Sequence, residues 1–119
     1  MFGLLKKEEC KMLHINEIDE LLGKIELIDI REPYEYLGGS IKGAKNIPMQ
    51  KLISEPSKYL REGNTYYLMC LSGARSSRTC RYLTKLGYDV VNVTGGFVSY
   101  VGTKRKWLRR RLLWKEKWW

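Results

Sequence analysis

Apolar positions along the first hundred residues fall into two kinds of short run, continuous and periodic. The continuous runs at residues 26–30 and 66–70 are of the length and composition of strands buried on both faces. Residues 12–15 read as a short edge strand, residues 44–47 as a brief strand ended by Pro48, and residues 89–93 as the last strand, closing at Gly95-Gly96. The periodic runs lie between them. Asn16 is placed to cap a helix carrying Ile18, Leu21 and Leu22 on one face and stopped at Gly23, and residues 31–37 form a helical turn with Pro33 near its start. One or two short helices follow around Leu52, Ile53, Tyr59 and Leu60, broken at Pro56. A longer helix spans 76–86, with Thr79, Leu83 and Leu86 facing a core and Gly87 as its stop. Hairpin signals are scarce and helices intervene between strands. The pattern predicts an α/β domain: a mostly parallel central sheet flanked by helices on both faces, in three layers.

Composition sharpens the boundaries. The chain has 119 residues, 44% of them hydrophobic, which suits a single domain with a real core. Its formal charge is +9, but residues 104–119 hold eight Lys/Arg and one Glu, a net +7, so the preceding body carries +2. All four tryptophans, Trp107, Trp114, Trp118 and Trp119, lie in that segment. The division predicted is a body over 1–103 and a basic, Trp-rich tail over 104–119. On a helix Trp107, Trp114 and Trp118 form one stripe, with Arg111 and Lys115 interrupting its margin. This is the composition of segments that settle on anionic membranes, where each basic residue adds about 1 kcal/mol; packing of the tryptophans on the body is the competing expectation. No recognised nucleic-acid motif accompanies the charge, so a nucleic-acid partner is disfavoured. The longest uncharged apolar run is far too short to cross a bilayer, and Phe2-Gly3-Leu4-Leu5 is cut off by charges, unlike a signal-peptide core. A cytoplasmic location is expected, with the tail as a peripheral contact to the inner membrane face. Three irregularly spaced cysteines and one histidine make neither a disulfide framework nor a zinc site.

Chemistry concentrates at Cys70-Leu71-Ser72-Gly73-Ala74-Arg75, where a buried-type strand runs into a helix. In parallel sheets ligands gather at the carboxyl ends of strands, and both Cys70 and Asp29 stand at such ends. A free thiol ionises near about pH 8.5, and a helix N-terminus or a nearby cation lowers this, which makes Cys70 a candidate nucleophile. Gly73 lets the loop turn its amides inward, and a nest of N–H groups binds an anion. Arg75 either points into the loop or pairs outward with an acid such as Glu35 or Asp29. Asp29 and Arg31 are read as scaffold fixing the mouth of the site. Cys80, inside the helix, and Cys10, near the N-terminus, are read as structural or incidental, and His14 as a strand or surface residue.

The run from Leu27-Ile28-Asp29-Ile30-Arg31-Glu32-Pro33 to Gly39-Ser40-Ile41-Lys42-Gly43-Ala44, the Cys70 strand and loop, and Val93-Thr94-Gly95-Gly96-Phe97 together resemble the three signature motifs of the rhodanese family, in order, over residues 12–103. The resemblance implies a sulfurtransferase. Cys70 would carry a sulfane sulfur as a persulfide, without metal or organic cofactor, between a donor such as thiosulfate or a persulfide and an acceptor such as cyanide or a thiol. The cradle would be formed by Leu71, Ser72, Gly73, Ala74, Arg75 and Ser76. Phosphatases of similar fold separate cysteine and arginine by five residues, whereas four stand between Cys70 and Arg75, a ring better sized for one sulfur than for a phosphoryl group. Ser40 stands where histidine is frequent in the family and Tyr100 where tryptophan is common. Leu71 is apolar where some thiosulfate-using members carry a basic or polar residue, which raises a persulfide to parity as donor. A non-catalytic module docked through its tail is the alternative, and a phosphatase the remote third reading.

Overall fold

The computed structural model describes residues 10–107. Five strands form one parallel sheet: β1 (Lys11–His14), β2 (Glu26–Asp29), β4 (Lys45–Asn46), β5 (Thr65–Met69) and β6 (Asp89–Thr94), in the order β1-β6-β5-β2-β4. The expected edge strand is an edge, and the two expected buried strands lie in the interior. Alternation along them divides the core. Ile28, Ile30, Tyr66, Leu68 and Cys70 face one cluster, while Leu27 and Met69 face another.

Helices α2 (Met49–Ser54), α3 (Pro56–Tyr59) and α4 (Ala74–Lys85) follow where short helices were expected, with Pro56 at the first position of α3, where its missing N–H costs nothing. Leu52 of α2 and Cys80 and Leu83 of α4 cover the first cluster. The other cluster is covered by Ile15 from the first of two 3-10 turns, by Ile18 between them, by Ile41 and by Tyr100. Two 3-10 turns, Ile15–Glu17 and Asp19–Leu21, replace the helix expected after residue 16. Asn16 does not cap it. His14 Nδ1 accepts from the Asn16 N–H at 3.2 Å, and the Glu17 carboxylate accepts from the His14 N–H in return. The Asn16 side chain is spent on the chain's other end, donating to the Ser99 carbonyl and accepting from the Val101 N–H.

Two elements escaped the pattern because each is two residues long. Strand β3 (Ser40–Ile41) pairs antiparallel with β7 (Arg105–Lys106), so a strand does follow the sixth. Lys106 Nζ donates to the Ala44 carbonyl at 2.7 Å and lies over the Tyr36 ring, and Tyr36 belongs to α1 (Pro33–Leu37). Residues 104–107 thus run along the body, and 108–119, the rest of the predicted tail, lie outside the described residues. Among the described residues no helix is long and apolar enough to cross a membrane.

Leu86 departs from expectation. The buried stripe of α4 is Ser76, Thr79, Cys80 and Leu83; Leu86 continues its direction but stands past the last helical residue, Lys85, as the 50% exposed C-cap. Leu83→Ala is expected to lower unfolding stability by about 2–5 kcal/mol in urea titrations, whereas Leu86→Ala stays within about 0.5 kcal/mol of the parent.

Candidate functional site

Strand β5 ends at Met69, and the next residue places its sulfur at the start of α4. Cys70 is fully buried. Its Sγ accepts from the Gly73 N–H at 3.1 Å and the Ser76 N–H at 3.4 Å, and the thiol donates to Ser76 Oγ at 3.4 Å. Gly73 makes this geometry attainable: as the N-cap of α4 it has φ +98°, which side chains resist. Its carbonyl accepts from the Ser77 N–H and opens the helix. The N–H groups of Ala74 and Arg75, in the first turn of the helix, have no partner within it.

The loop leans on the turn after β6. The Phe97 N–H donates to the Cys70 carbonyl and the Val98 N–H to the Leu71 carbonyl, both at 2.9 Å. A side chain at Gly96 would collide with the Leu71 carbonyl, so the second glycine of that turn is required by close backbone approach. Leu71 itself is 40% exposed. Ser72 and Ala74 complete the ring between Cys70 and Arg75.

Of the alternatives for Arg75, the outward one is realised. Its guanidinium forks onto Glu35 of α1, with Nη1 to Oε1 at 2.8 Å and Nη2 to Oε2 at 3.0 Å. The Arg75 fork holds the Glu35 carboxyl below the usual carboxylate range, and Glu35 raises Arg75 in turn.

Asp29 and Arg31 are brought together beside the loop rather than at Cys70. The buried carboxylate of Asp29 accepts from the Arg31 N–H, from Arg31 Nε at 3.0 Å and from Nη2 at 2.8 Å. Ser40 Oγ, which motif comparison marks only as a departure, donates the further bond to Asp29 at 2.7 Å. Arg31 also donates to the Gly39 carbonyl and covers the Phe97 ring at 4.7 Å, with Arg105 5.0 Å from the same ring. Tyr100 is pushed up to about 12 by burial and by its bond to Asp19, so it remains a donor.

Sequence reasoning passed over Asn92 and underrated Cys10. Asn92, buried in β6, accepts from Ser76 Oγ at 2.5 Å; a lone polar residue at an inward position of a central strand was the available signal. Cys10 donates to the Val90 carbonyl at 3.3 Å and packs on the cluster holding Cys80. The neighbouring Cys10 thiol, together with burial, pushes Cys80 up, which keeps it a thiol. Cys10 is thereby part of the core. No group of three or more His, Cys, Asp or Glu side chains able to hold a metal occurs among the described residues.

A family model for the rhodanese-like domain matches residues 14–103. The putative sulfurtransferase YtwF of Bacillus subtilis is 40% identical over 91 residues, covering 76% of this chain and 84% of that protein. The uncharacterized protein YqhL of the same organism is 40% identical over 80 residues, 66% of this chain, which spans 63% of its length. The crystal structure of a rhodanese-related protein from Thermoplasma volcanium superposes with a TM-score of 0.73 at 30% identity, covering 82% of this chain and 98% of that one.

The Glu35–Arg75 fork has a pH signature. A lowered carboxyl contributes stability that is complete above the ordinary carboxylate range and is lost as pH falls through its lowered value. Glu35→Gln is therefore expected to cost about 1 kcal/mol at neutral pH, with the difference from the parent closing in acid, as read by urea titrations across pH.

Proposed function

The chain belongs to the rhodanese-like family, and from that premise we propose that it is a sulfurtransferase whose Cys70 carries a sulfane sulfur as a persulfide. The observation that carries this reading is the pair of backbone N–H groups, from Gly73 and Ser76, directed at the Cys70 sulfur inside a four-residue ring closed by Arg75. Such a cradle suits a sulfur anion and needs no side-chain cation to hold it.

The step is a displacement. Cys70 as thiolate attacks the outer sulfur of a persulfide R–S–S⁻, the S–S bond of the donor breaks, and R–S⁻ leaves with the bonding pair. Cys70–S–S⁻ remains, and the same exchange with an acceptor thiolate or cyanide returns the free cysteine. One sulfur atom moves and charge is conserved. The N–H groups of Leu71, Ser72, Ala74 and Arg75 are the proposed cradle for the outer sulfur. Thiosulfate can donate by the same displacement, with sulfite leaving. The guanidinium groups of Arg75 and Arg31 are both engaged by carboxylates, and Leu71 is exposed beside the loop, so charge matching favours a persulfide donor over the thiosulfate dianion.

Incubation with glutathione persulfide is expected to add one sulfur to the peptide that carries Cys70, as read by intact and peptide mass spectrometry, and to add none in Cys70→Ser. Thiosulfate is expected to load the same residue at least tenfold more slowly at equal concentration. Loading undiminished in Cys70→Ser would sink the assignment.

A further inference from the structure

Ser76 Oγ has one proton and three acceptors within reach: Asn92 Oδ1 at 2.5 Å, the Gly73 carbonyl at 3.2 Å and Cys70 Sγ at 3.4 Å. The distances decide among them. A 2.5 Å contact to an amide oxygen is at the short end for a hydroxyl donor, the 3.2 Å contact to the carbonyl is long, and the 3.4 Å contact to sulfur is already satisfied by the thiol's own proton. The proton therefore lies on the line to Asn92, and an oxygen lone pair is left facing the Cys70 thiol. Both side chains are buried, and Asn92 stands in β6 opposite Met12 of β1 and Leu68 of β5, so neither is free to swing away.

We propose that Asn92 is a positioning residue for Cys70: it claims the Ser76 hydroxyl proton, turns that hydroxyl into an acceptor for the thiol, and leaves two N–H groups to serve Sγ when the sulfur is charged. The consequence bears on the proposed sulfur transfer, on which this part of the inference rests. When the unloaded cysteine is ionised for attack, the negative charge sits on Sγ and is one donor short. In the persulfide the charge moves one atom outward, away from Ser76, so the missing donor no longer matters. Asn92 thereby biases the site toward its loaded form.

The ionisable groups around this line are Arg75 and Cys80 from α4, Cys10 ahead of β1, Glu35 from α1, and the pair of Asp29, the last residue of β2, with Arg31. None of their side chains bonds to the Asn92 side chain, and all remain in the variants below.

The test is the pH dependence of iodoacetamide alkylation at Cys70, read from the mass of its peptide. Asn92→Val releases the hydroxyl to the sulfur, and the midpoint is expected to fall by about half to one pH unit, with about three- to tenfold faster alkylation below it. In a Ser76→Ala background the same substitution is expected to leave the midpoint where it is. An unchanged or raised midpoint in Asn92→Val, or an equal fall in the Ser76→Ala background, overturns the proposal. Should valine unfold the sheet, Ser76→Ala alone carries the test: losing a hydroxyl that only accepts from the thiol is expected to leave the midpoint in place or lower it, and a raised midpoint, the mark of a lost donor, overturns the proposal. Loading from glutathione persulfide is measured separately, above the midpoint. There Asn92→Val is expected to lower the loading equilibrium about three- to tenfold, and an undiminished equilibrium overturns the bias. Alkylation shifts in a protein that takes up no sulfur would leave the role of Asn92 standing and remove the sulfur-transfer reading instead.

Discussion

A loop that turns its N–H groups inward on one sulfur cannot hold itself in place. Its carbonyls face outward, its glycine is in a conformation that costs entropy, and its arginine sits at the start of a helix with nothing beneath it. Every strut must come from elsewhere in the fold. The Phe97 and Val98 N–H groups fasten the Cys70 and Leu71 carbonyls, Glu35 fastens Arg75, and Asn92 fastens Ser76. Three separate regions of the chain, α1, β6 and the turn after it, are thus organised around six residues. Each bond contributes about 1 kcal/mol net, too little to matter alone for stability, yet together they hold the amides aimed at a point.

The Asp29–Arg31 pair belongs to the same scheme one layer out. A buried ion pair gains little over an apolar replacement, because desolvation offsets its attraction, so its value here is geometric. Asp29 gathers the Arg31 backbone and side chain and the Ser40 hydroxyl, and Asn46 ties the Asp29 and Arg31 carbonyls. Arg31 then presents its face to Phe97, whose N–H is one of the loop's struts, and Arg105 stands against the same ring. Through this stack the antiparallel pair of β3 and β7 is coupled mechanically to the loop, although no residue of β7 approaches Cys70 in sequence.

What could be read from the chain and what could not separate along a physical line. Strands β2 and β5 and helix α4 were legible because burial on both faces, or along a stripe of three turns, leaves a dense apolar pattern. So was the placement of Cys70 between a strand end and a helix start, because the strand, the glycine and the arginine constrain one another locally. Asn16 misled because a side chain suited to capping was recruited by Ser99 and Val101, partners more than eighty residues away. Leu86 misled because the stripe's period carries on in the sequence past Lys85, where the helix and the surface it packs on end. Ser40 and Asn92 were opaque for a different reason: a buried hydroxyl or amide is identified by the partner it satisfies, and the partners, Asp29 and Ser76, come from other elements.

Charge distribution is the remaining constraint on what the loop can accept. A strongly basic chain would suggest a site that attracts anions at long range, yet the body carries little of that charge and the guanidinium groups of Arg75 and Arg31 are already engaged by carboxylates. What is left to meet a ligand is a set of oriented N–H dipoles, whose field falls off within a few ångströms. Dipoles of that kind discriminate by position rather than by total charge: they stabilise a single anionic atom placed among them and give little to charge spread over a tetrahedral group outside the ring. A sulfur bonded to Cys70 is such an atom, delivered by the covalent bond itself to the place where the dipoles point. The chemistry proposed for the site therefore follows from how its cations are spent as much as from the cysteine it contains.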